Sequence, residues 1–586
     1  MKNILKKLVI LSSLLLSSCS FFFFDTGEAK SIPVYDLDIV SENGDISQAE
    51  LTPLNARFLK NKEYVPYISL KQYASLYKSR LLDGFDYSVH KSGSFITWEV
   101  YNNELGVYYM SRINPIFKEI SVMGSIQETF KPTDYPIDLR ALNYGLQSEY
   151  SSVVLGSRGY NLYDFSDYDV KYFSYNGEYY FPLSFLDLTY SEATGIYHYY
   201  NYAGIYACHD IETYANMSFT KDDKTMTVDT EMASLVKEES MPFYLKEFNA
   251  NMFFYVMDNF YGLKDYKGYS SMEKLCRKKG LYDYLLSNKA AERAQAYADA
   301  LSILDDNHTA IASANDAWGE NDYANFRYAT GCLARHNKNV SLTNARATRY
   351  ASMNKNLGEP IVSNDGKTAM YYFNQFVYGD ASICFNEDGS LNLERAATVD
   401  SFFELIKLFN DLSTQSVENV ILDISTNGGG VLGVLMKILC LLSKDNSSYI
   451  SYFDDNAYYV AIASSQININ GDNLYNANDC FGNRFNFYLL TSDCSFSCAN
   501  AFPCLAKQFN VAKIIGQTSG GGECVVGGHY LPNSQYVYHS SNLHLGYYDE
   551  KDEAFYGFEN GAEPDYPISD DNQFYDIEYL NQLIKN

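Results

Sequence analysis

From residue 368 onward, apolar runs of five or six residues alternate with segments in which apolar positions return every three or four residues. Thr368–Phe373, Val420–Ile424 and Phe485–Leu490 read as buried strands. Thr398–Leu412, Val431–Leu442 and the stretch in which Ala499, Phe502, Leu505, Ala506 and Phe509 recur read as amphipathic helices. Such alternation predicts an α/β sheet whose connecting loops carry the chemistry. Upstream the pattern changes twice. Met241 to Leu304 reads as helical, with Phe243, Leu245, Phe248, Phe253, Phe254, Val256 and Met257 crowded into one segment and strong helix formers over Ala290–Leu304. Residues 31 to about 235 are short strand-like runs separated by Tyr, Ser, Asn and Gly turns. Within them Lys62-Glu63-Tyr64-Val65-Pro66-Tyr67-Ile68-Ser69-Leu70 is echoed by Gly177-Glu178-Tyr179-Tyr180-Phe181-Pro182-Leu183-Ser184-Phe185, each a strand leading into a helix. The expected organisation is a leader over 1–18, a linker over 19–30, α+β modules over 31–130 and 131–238, a helical region over 239–330 and an α/β domain over 331–586.

Three stretches of this pattern carry candidate chemistry. In residues 485–522 a strand, a turn, a helix, a strand and a glycine loop follow one another, and Ser497 stands where the turn becomes a helix. Unpaired backbone N–H groups and the positive end of the helix dipole converge there, which suits a nucleophile whose attack creates an oxyanion; a plain N-cap is the bland alternative. Val420–Gly430, VILDISTNGGG, runs a strand into three glycines that expose backbone N–H groups. Leu301–Ile311, LSILDDNHTAI, sets His308 after a helix among polar turn residues.

In this order the three stretches resemble the serine peptidases of the C-terminal processing (tail-specific) protease family, and in particular its tricorn and interphotoreceptor retinoid-binding-protein branch. The resemblance rests on Asp306-Asn307-His308-Thr309, on Asp423 with Asn427-Gly428-Gly429-Gly430, on Ser495-Phe496-Ser497-Cys498-Ala499, and on Phe558-Glu559-Asn560-Gly561-Ala562-Glu563-Pro564-Asp565, and covers roughly residues 240–570. It implies a crotonase/ClpP-like β-β-α catalytic domain. It also implies Ser497 as nucleophile, His308 as base, Glu559 as the acid orienting that base, and an oxyanion pocket from Cys498 and Gly428 or Gly429. The family's dyad branch places a lysine in the glycine loop, where this chain has Thr518-Ser519-Gly520-Gly521-Gly522, so the histidine branch fits better. Two positions depart from the pattern: Asn307 replaces a glycine, and the Glu559 motif is one residue short. Glu563, Asp305 and Asp306 compete with Glu559, and His529, His539 and His544 compete with His308. Asp423 reads as a structural carboxylate, and Cys498 as a less favoured thiol nucleophile. The amino-terminal repeat weakly resembles modules at the amino end of some copper amine oxidases, which implies surface binding or spacing without copper.

At 586 residues and 46% apolar composition the chain folds around several cores. Its 55 tyrosines against 2 tryptophans suit sheet surfaces. A net charge of −27 argues against a nucleic-acid partner. The first 20 residues carry Lys2, Lys6 and Lys7, a short apolar core and Leu16-Ser17-Ser18-Cys19, which resembles a bacterial lipoprotein signal with Cys19 as the acylated residue. Removing residues 1–18 takes away three lysines and no acid, leaving −30. The other ten cysteines are irregularly spaced without a CxxC pair, so neither a zinc site nor a cofactor is expected from them. The expectation is thus a lipid-anchored, extracytoplasmic serine endopeptidase of the cell envelope acting on a peptide or protein. The alternative is an inactive peptidase-like lipoprotein that binds or scaffolds. Oligomeric state is not legible.

Overall fold

Four strands frame the carboxy-terminal half. Thr368–Tyr372, Asn419–Asp423, Asn486–Thr491 and Ala512–Gly516 lie side by side, all parallel, with Ile421 in register with Met370 and Tyr488, and Leu489 with Ile514. Both faces of this sheet are covered, which is why its strands read as unbroken apolar runs. Val420, Leu422, Phe487, Leu489 and Ile514 pack against the helices Ser401–Ser413, Leu432–Leu442 and Cys498–Gln508. Met370, Ile421, Tyr488, Leu490 and Ile515 pack on the other side with Leu342 and Tyr350 of the helix Leu333–Ser352 and Ile577 and Leu580 of the helix Ile577–Leu583. The expected elements are present to within a few residues at each end.

The computed structural model describes residues 29–39, 46–104, 106–124, 126, 129–130, 146–155, 159–201, 204–208, 218–219, 226–227, 241–311, 333–472, 474–533, 535–570 and 573–585. The leader and Cys19 lie outside them. Among the described residues no helix is long and apolar enough to cross a membrane.

A second sheet of this half is built on the long strand Tyr536–Asp549, which pairs with Ala310–Ile311, Ser448–Asp454, Cys524–Tyr530 and Ala554–Gly557. It carries the segment after His308 and the segment after the glycine loop, and so brings distant parts of the chain together.

The amino-terminal half differs from the expected pair of modules. One seven-stranded sheet runs Phe173–Tyr175, Glu178–Pro182, Lys62–Ser69, Ile46–Leu59, Lys30–Ile39, Gly204–Cys208, Tyr197–Asn201, so the spans 31–130 and 131–238 share it. The two echoing segments are its neighbours, with Phe181 opposite Ile68. Each leads into a helix, Leu70–Ser75 under a Ser69–Gln72 capping box and Leu183–Thr194 after Pro182. Leu146–Val154 leaves this half altogether and pairs with Tyr459–Ile467. A boundary near residue 130 therefore separates no independent sheets. The physical reason is that a strand's partners are set by distant edge positions, which turn and propensity signals along the chain do not encode.

Candidate active site

The turn ahead of Ser497 is tied to the end of the neighbouring parallel strand. Ser495 Oγ donates to the Ile424 carbonyl at 2.7 Å, and the Phe496 N–H to the Asn427 carbonyl at 3.1 Å. Ser497 itself has φ 58° and ψ −126°, a conformation costly for a residue with a Cβ. The surroundings enforce it. Its N–H donates to Gly521 O at 3.0 Å, and its carbonyl accepts from Asn500 and Ala501 at 2.8 and 2.9 Å. Ser497 occupies the N-cap position, yet its side chain makes no capping hydrogen bond. The half-buried hydroxyl is therefore not spent on the helix end, which is what a plain cap would require.

The three glycines opposite have separate duties. The Gly429 N–H donates to Asn427 Oδ1 at 2.8 Å, so it is already committed. A Cβ at Gly429 would come 2.7 Å from Ser497 Cβ and 2.9 Å from Cys498 N, and φ there is +105°. Glycine at 429 allows the loop to lie directly against the serine. Gly430 is pinned to Phe376. Gly428 is exposed, and a Cβ there would meet open space. Among the described residues no partner takes the N–H of Gly428 or of Cys498. Of the expected oxyanion donors, then, Gly428 and Cys498 are available and Gly429 is not, because the Asn427 side chain has claimed it.

His308 reaches the same place by another route. Asp306, buried, accepts the His308 backbone N–H at 3.0 Å, the Thr309 hydroxyl at 2.6 Å and the Ser540 hydroxyl at 2.7 Å. This fixes the turn on the long strand Tyr536–Asp549. The imidazole then lies edge-on to the ring of Phe496, the residue before Ser497, with centroids 4.7 Å apart. Its Nδ1 is buried and has no hydrogen-bond partner among the described residues, and no hydrogen bond joins the ring to Ser497 Oγ. Burial lowers the His308 pKa, against an opposing pull from Asp306. Burial thus favours the neutral ring, while Asp306 and the Cys524 backbone favour the charged one.

Glu559 stands behind the glycine loop. Its Oε2 accepts the N–H groups of Gly522 and Glu523 at 2.9 and 3.1 Å, while its own N–H donates to Glu523 Oε2 at 2.7 Å. Burial raises its pKa, and those two N–H groups oppose the rise. No direct bond links its carboxylate to the His308 ring. Glu563 is exposed, and Asp305 is exposed in a left-handed turn.

The remaining candidates are engaged elsewhere. Asp423 is fully buried and accepts Arg346 Nε at 2.6 Å, together with the Ser425 N–H and hydroxyl, as a structural carboxylate would. The Cys498 thiol lies 3.0 Å from the Gly430 carbonyl, and burial pushes its pKa up to about 12, far from a thiolate. His529 and His539 are fully buried against each other. His544 is held between Glu523, at 2.6 Å, and Asp455, at 3.3 Å. Cys494, Cys498, Cys504 and Cys524, near the serine turn and glycine loop, are free thiols, as are Cys276, Cys384, Cys440 and Cys480.

Sequence reading missed Asn427 as the residue that commits Gly429, although it lies in the quoted stretch. It also missed Arg335, whose guanidinium lies 5.2 Å from the Phe496 ring centroid and donates to Gly520 O at 3.1 Å. Arg335 and Arg346 share the helix Leu333–Ser352, and two basic side chains on one helix are no local signal of a site.

The structure thus sets Gly429 against Ser497 and Cys498, and His308 against the ring of Phe496, the residue before Ser497, with Glu559 bonded to the loop behind. Among solved structures, similar ones include a candidate peptidase from Parabacteroides merdae, 16% identical over 57% of this chain and 90% of that one, with TM-score 0.36. A lipoprotein from Streptococcus agalactiae is 14% identical over 60% and 99%, with TM-score 0.33. A photosystem II D1 C-terminal processing protease is 15% identical over 36% and 45%, with TM-score 0.23. No curated protein matches the chain. Residues 392–568, which include Ser497, Gly428 and Glu559 but not His308, match the model of Peptidase family S41, and this match supports a serine-type peptidase.

Proposed function

We propose that the protein is an endopeptidase in which Ser497 attacks a peptide carbonyl and His308 is the base. The observation that carries the reading is the strained Ser497 with an uncapped hydroxyl at a helix start, one residue from the ring against which the His308 imidazole rests. In the proposed reaction His308 takes the Ser497 proton as the Oγ–carbon bond forms. The N–H groups of Cys498 and Gly428 hold the oxyanion. His308 then protonates the amine as the C–N bond breaks, and a water deprotonated by His308 cleaves the acyl ester. Glu559 orients His308 through an intervening hydroxyl or water, a role supported by its place beside the loop that accepts the Ser497 N–H. The strands and helices around Ser497 form a crotonase-like β-β-α catalytic domain.

By the same proposal Cys19 is acylated and the protein is anchored on the outer side of a bacterial membrane, where the amino-terminal sheet acts as a spacer or binding surface. The leader pattern alone supports this part. The test of the chemistry is cleavage of a quenched peptide library by wild type, Ser497→Ala and His308→Ala. Activity that survives both substitutions ends the proposal, and activity lost in both supports it. Labelled palmitate incorporated by wild type but not by Cys19→Ala tests the anchor.

A further inference from the structure

The long strand Tyr536–Asp549 and its partner Cys524–Tyr530 form a hairpin on which the amino-terminal helix Leu183–Thr194 packs. On that face His529 and His539 stand diagonally, His539 opposite Gly527 and His529 opposite Val537. Both rings are completely buried. His529 Nδ1 is 2.9 Å from His539 Nε2, and Glu192 Oε1 of the packed helix is 3.5 Å from the same His539 nitrogen. The absent side chain of Gly527 makes room for the carboxylate: a Cβ there would fall 1.9 Å from Glu192 Oε1.

Neither neutral tautomer of His529 satisfies this group. His539 Nδ1 lies 3.2 Å from the Ser540 carbonyl and donates to it, so Nε2 presents a lone pair to His529. If the His529 proton sits on Nδ1, it bonds His539, and Nε2 is then a buried atom with no hydrogen-bond partner. If the proton sits on Nε2, toward the Leu188 backbone, two lone pairs face each other at 2.9 Å. Either tautomer carries a cost that buried polar groups rarely bear. A cation between the two nitrogens removes it, and the Ser540 contact then acts as the outer hydrogen bond that orients a ligating imidazole.

We propose that Glu192, His529 and His539 bind a divalent first-row transition ion of the zinc type, cross-linking the amino-terminal sheet unit to the hairpin that also carries Ser540 and His544. Donors around a tetrahedral zinc ion lie about 3.3 Å apart, and the observed 2.9 and 3.5 Å bracket that spacing. Two neutral imidazoles and one carboxylate are a donor set that zinc accepts, with a water completing the shell. This site uses no cysteine, so the irregular cysteine spacing has no bearing on it.

The test uses the full chain, stripped with a chelator, dialysed and titrated with zinc chloride by calorimetry. One ion per chain is expected, with a higher melting temperature in its presence. Glu192→Gln and His539→Asn are each expected to weaken binding at least tenfold and to abolish the thermal shift. Cobalt added to the stripped wild type should give visible d–d bands without thiolate-to-cobalt charge transfer. Absence of stoichiometric zinc binding overturns the proposal, as does binding equal to wild type in both variants. Thiolate charge transfer also overturns it, since that places the ion at the neighbouring Glu523, Cys524 and His544 cluster. Should both variants fail to fold, the wild-type titration and cobalt spectrum still decide.

Discussion

Gly428 and Gly429 are adjacent, chemically identical and expected to respond oppositely to alanine. At Gly429 the new methyl would lie 2.7 Å from Ser497 Cβ, 2.9 Å from Cys498 N and 2.9 Å from Phe496 O, and two of those three atoms are backbone. Nothing there can swing away. The backbone angle of +105° adds a second cost, of about 1–2 kcal/mol for a residue with a Cβ. Overpacking of this kind adds about 1–3 kcal/mol, so Gly429→Ala should destabilise by about 2–5 kcal/mol. Relief must come from moving the Ser497 turn or the glycine strand apart, and a displacement of about 1 Å at a reacting centre costs on the order of 10²-fold in rate. At Gly428 the methyl enters open space and φ is not positive, so stability should change by no more than about 0.5 kcal/mol. The assay is the second-order rate of fluorophosphonate labelling, with thermal unfolding on the same samples. If Gly429→Ala labels as fast as wild type, or if the two variants melt and label alike, the close approach of the glycine loop to Ser497 is wrong.

Three further outcomes follow from the same geometry. Because burial lowers the His308 pKa below its ordinary 6.5, the acid limb of kcat/KM should be centred below pH 6.5; a limb centred above 6.5 contradicts a neutral buried base. Asp423→Ala strands the Arg346 guanidinium in the core and should cost about 3–5 kcal/mol in denaturant unfolding, and a loss under 1 kcal/mol would show that the pair is dispensable. Glu559→Gln keeps an oxygen for the Gly522 and Glu523 N–H groups and should melt near wild type, whereas Glu559→Ala leaves both unpaired and should lose about 1–3 kcal/mol; equal melting of the two would mean that the carboxylate does not hold the loop.

What could be read in advance was what local chemistry encodes. The parallel strands announce themselves because burial on both faces demands unbroken apolar runs, and Ser497 announces itself because a turn, a small residue and a helix start coincide. The glycine stretch was legible as a place of exposed N–H groups. Which glycine donates and which merely yields space was not, because that depends on where the Asn427 side chain turns and on a serine about 70 positions away. The sharing of one seven-stranded sheet by strands from both sides of residue 130 was hidden for a related reason. Two of its pairings, Lys62–Ser69 with Glu178–Pro182 and Lys30–Ile39 with Gly204–Cys208, span long separations, and the echo between Lys62–Leu70 and Gly177–Phe185 marks neighbouring strands, not separate modules. The convergence of Glu192 with His529 and His539 was likewise invisible, since a lone buried histidine in a strand gives no hint of its partners.

The reading stands or falls on which side chain reacts. Wild type and His308→Ala would be treated with a fluorophosphonate, digested, and the adduct located by mass spectrometry, with Ser497→Ala as the blank. The account predicts a single phosphonylated residue, Ser497, formed at least about 10³-fold faster in wild type than in His308→Ala. An adduct on another serine, or one on Ser497 formed equally fast without the imidazole, contradicts it.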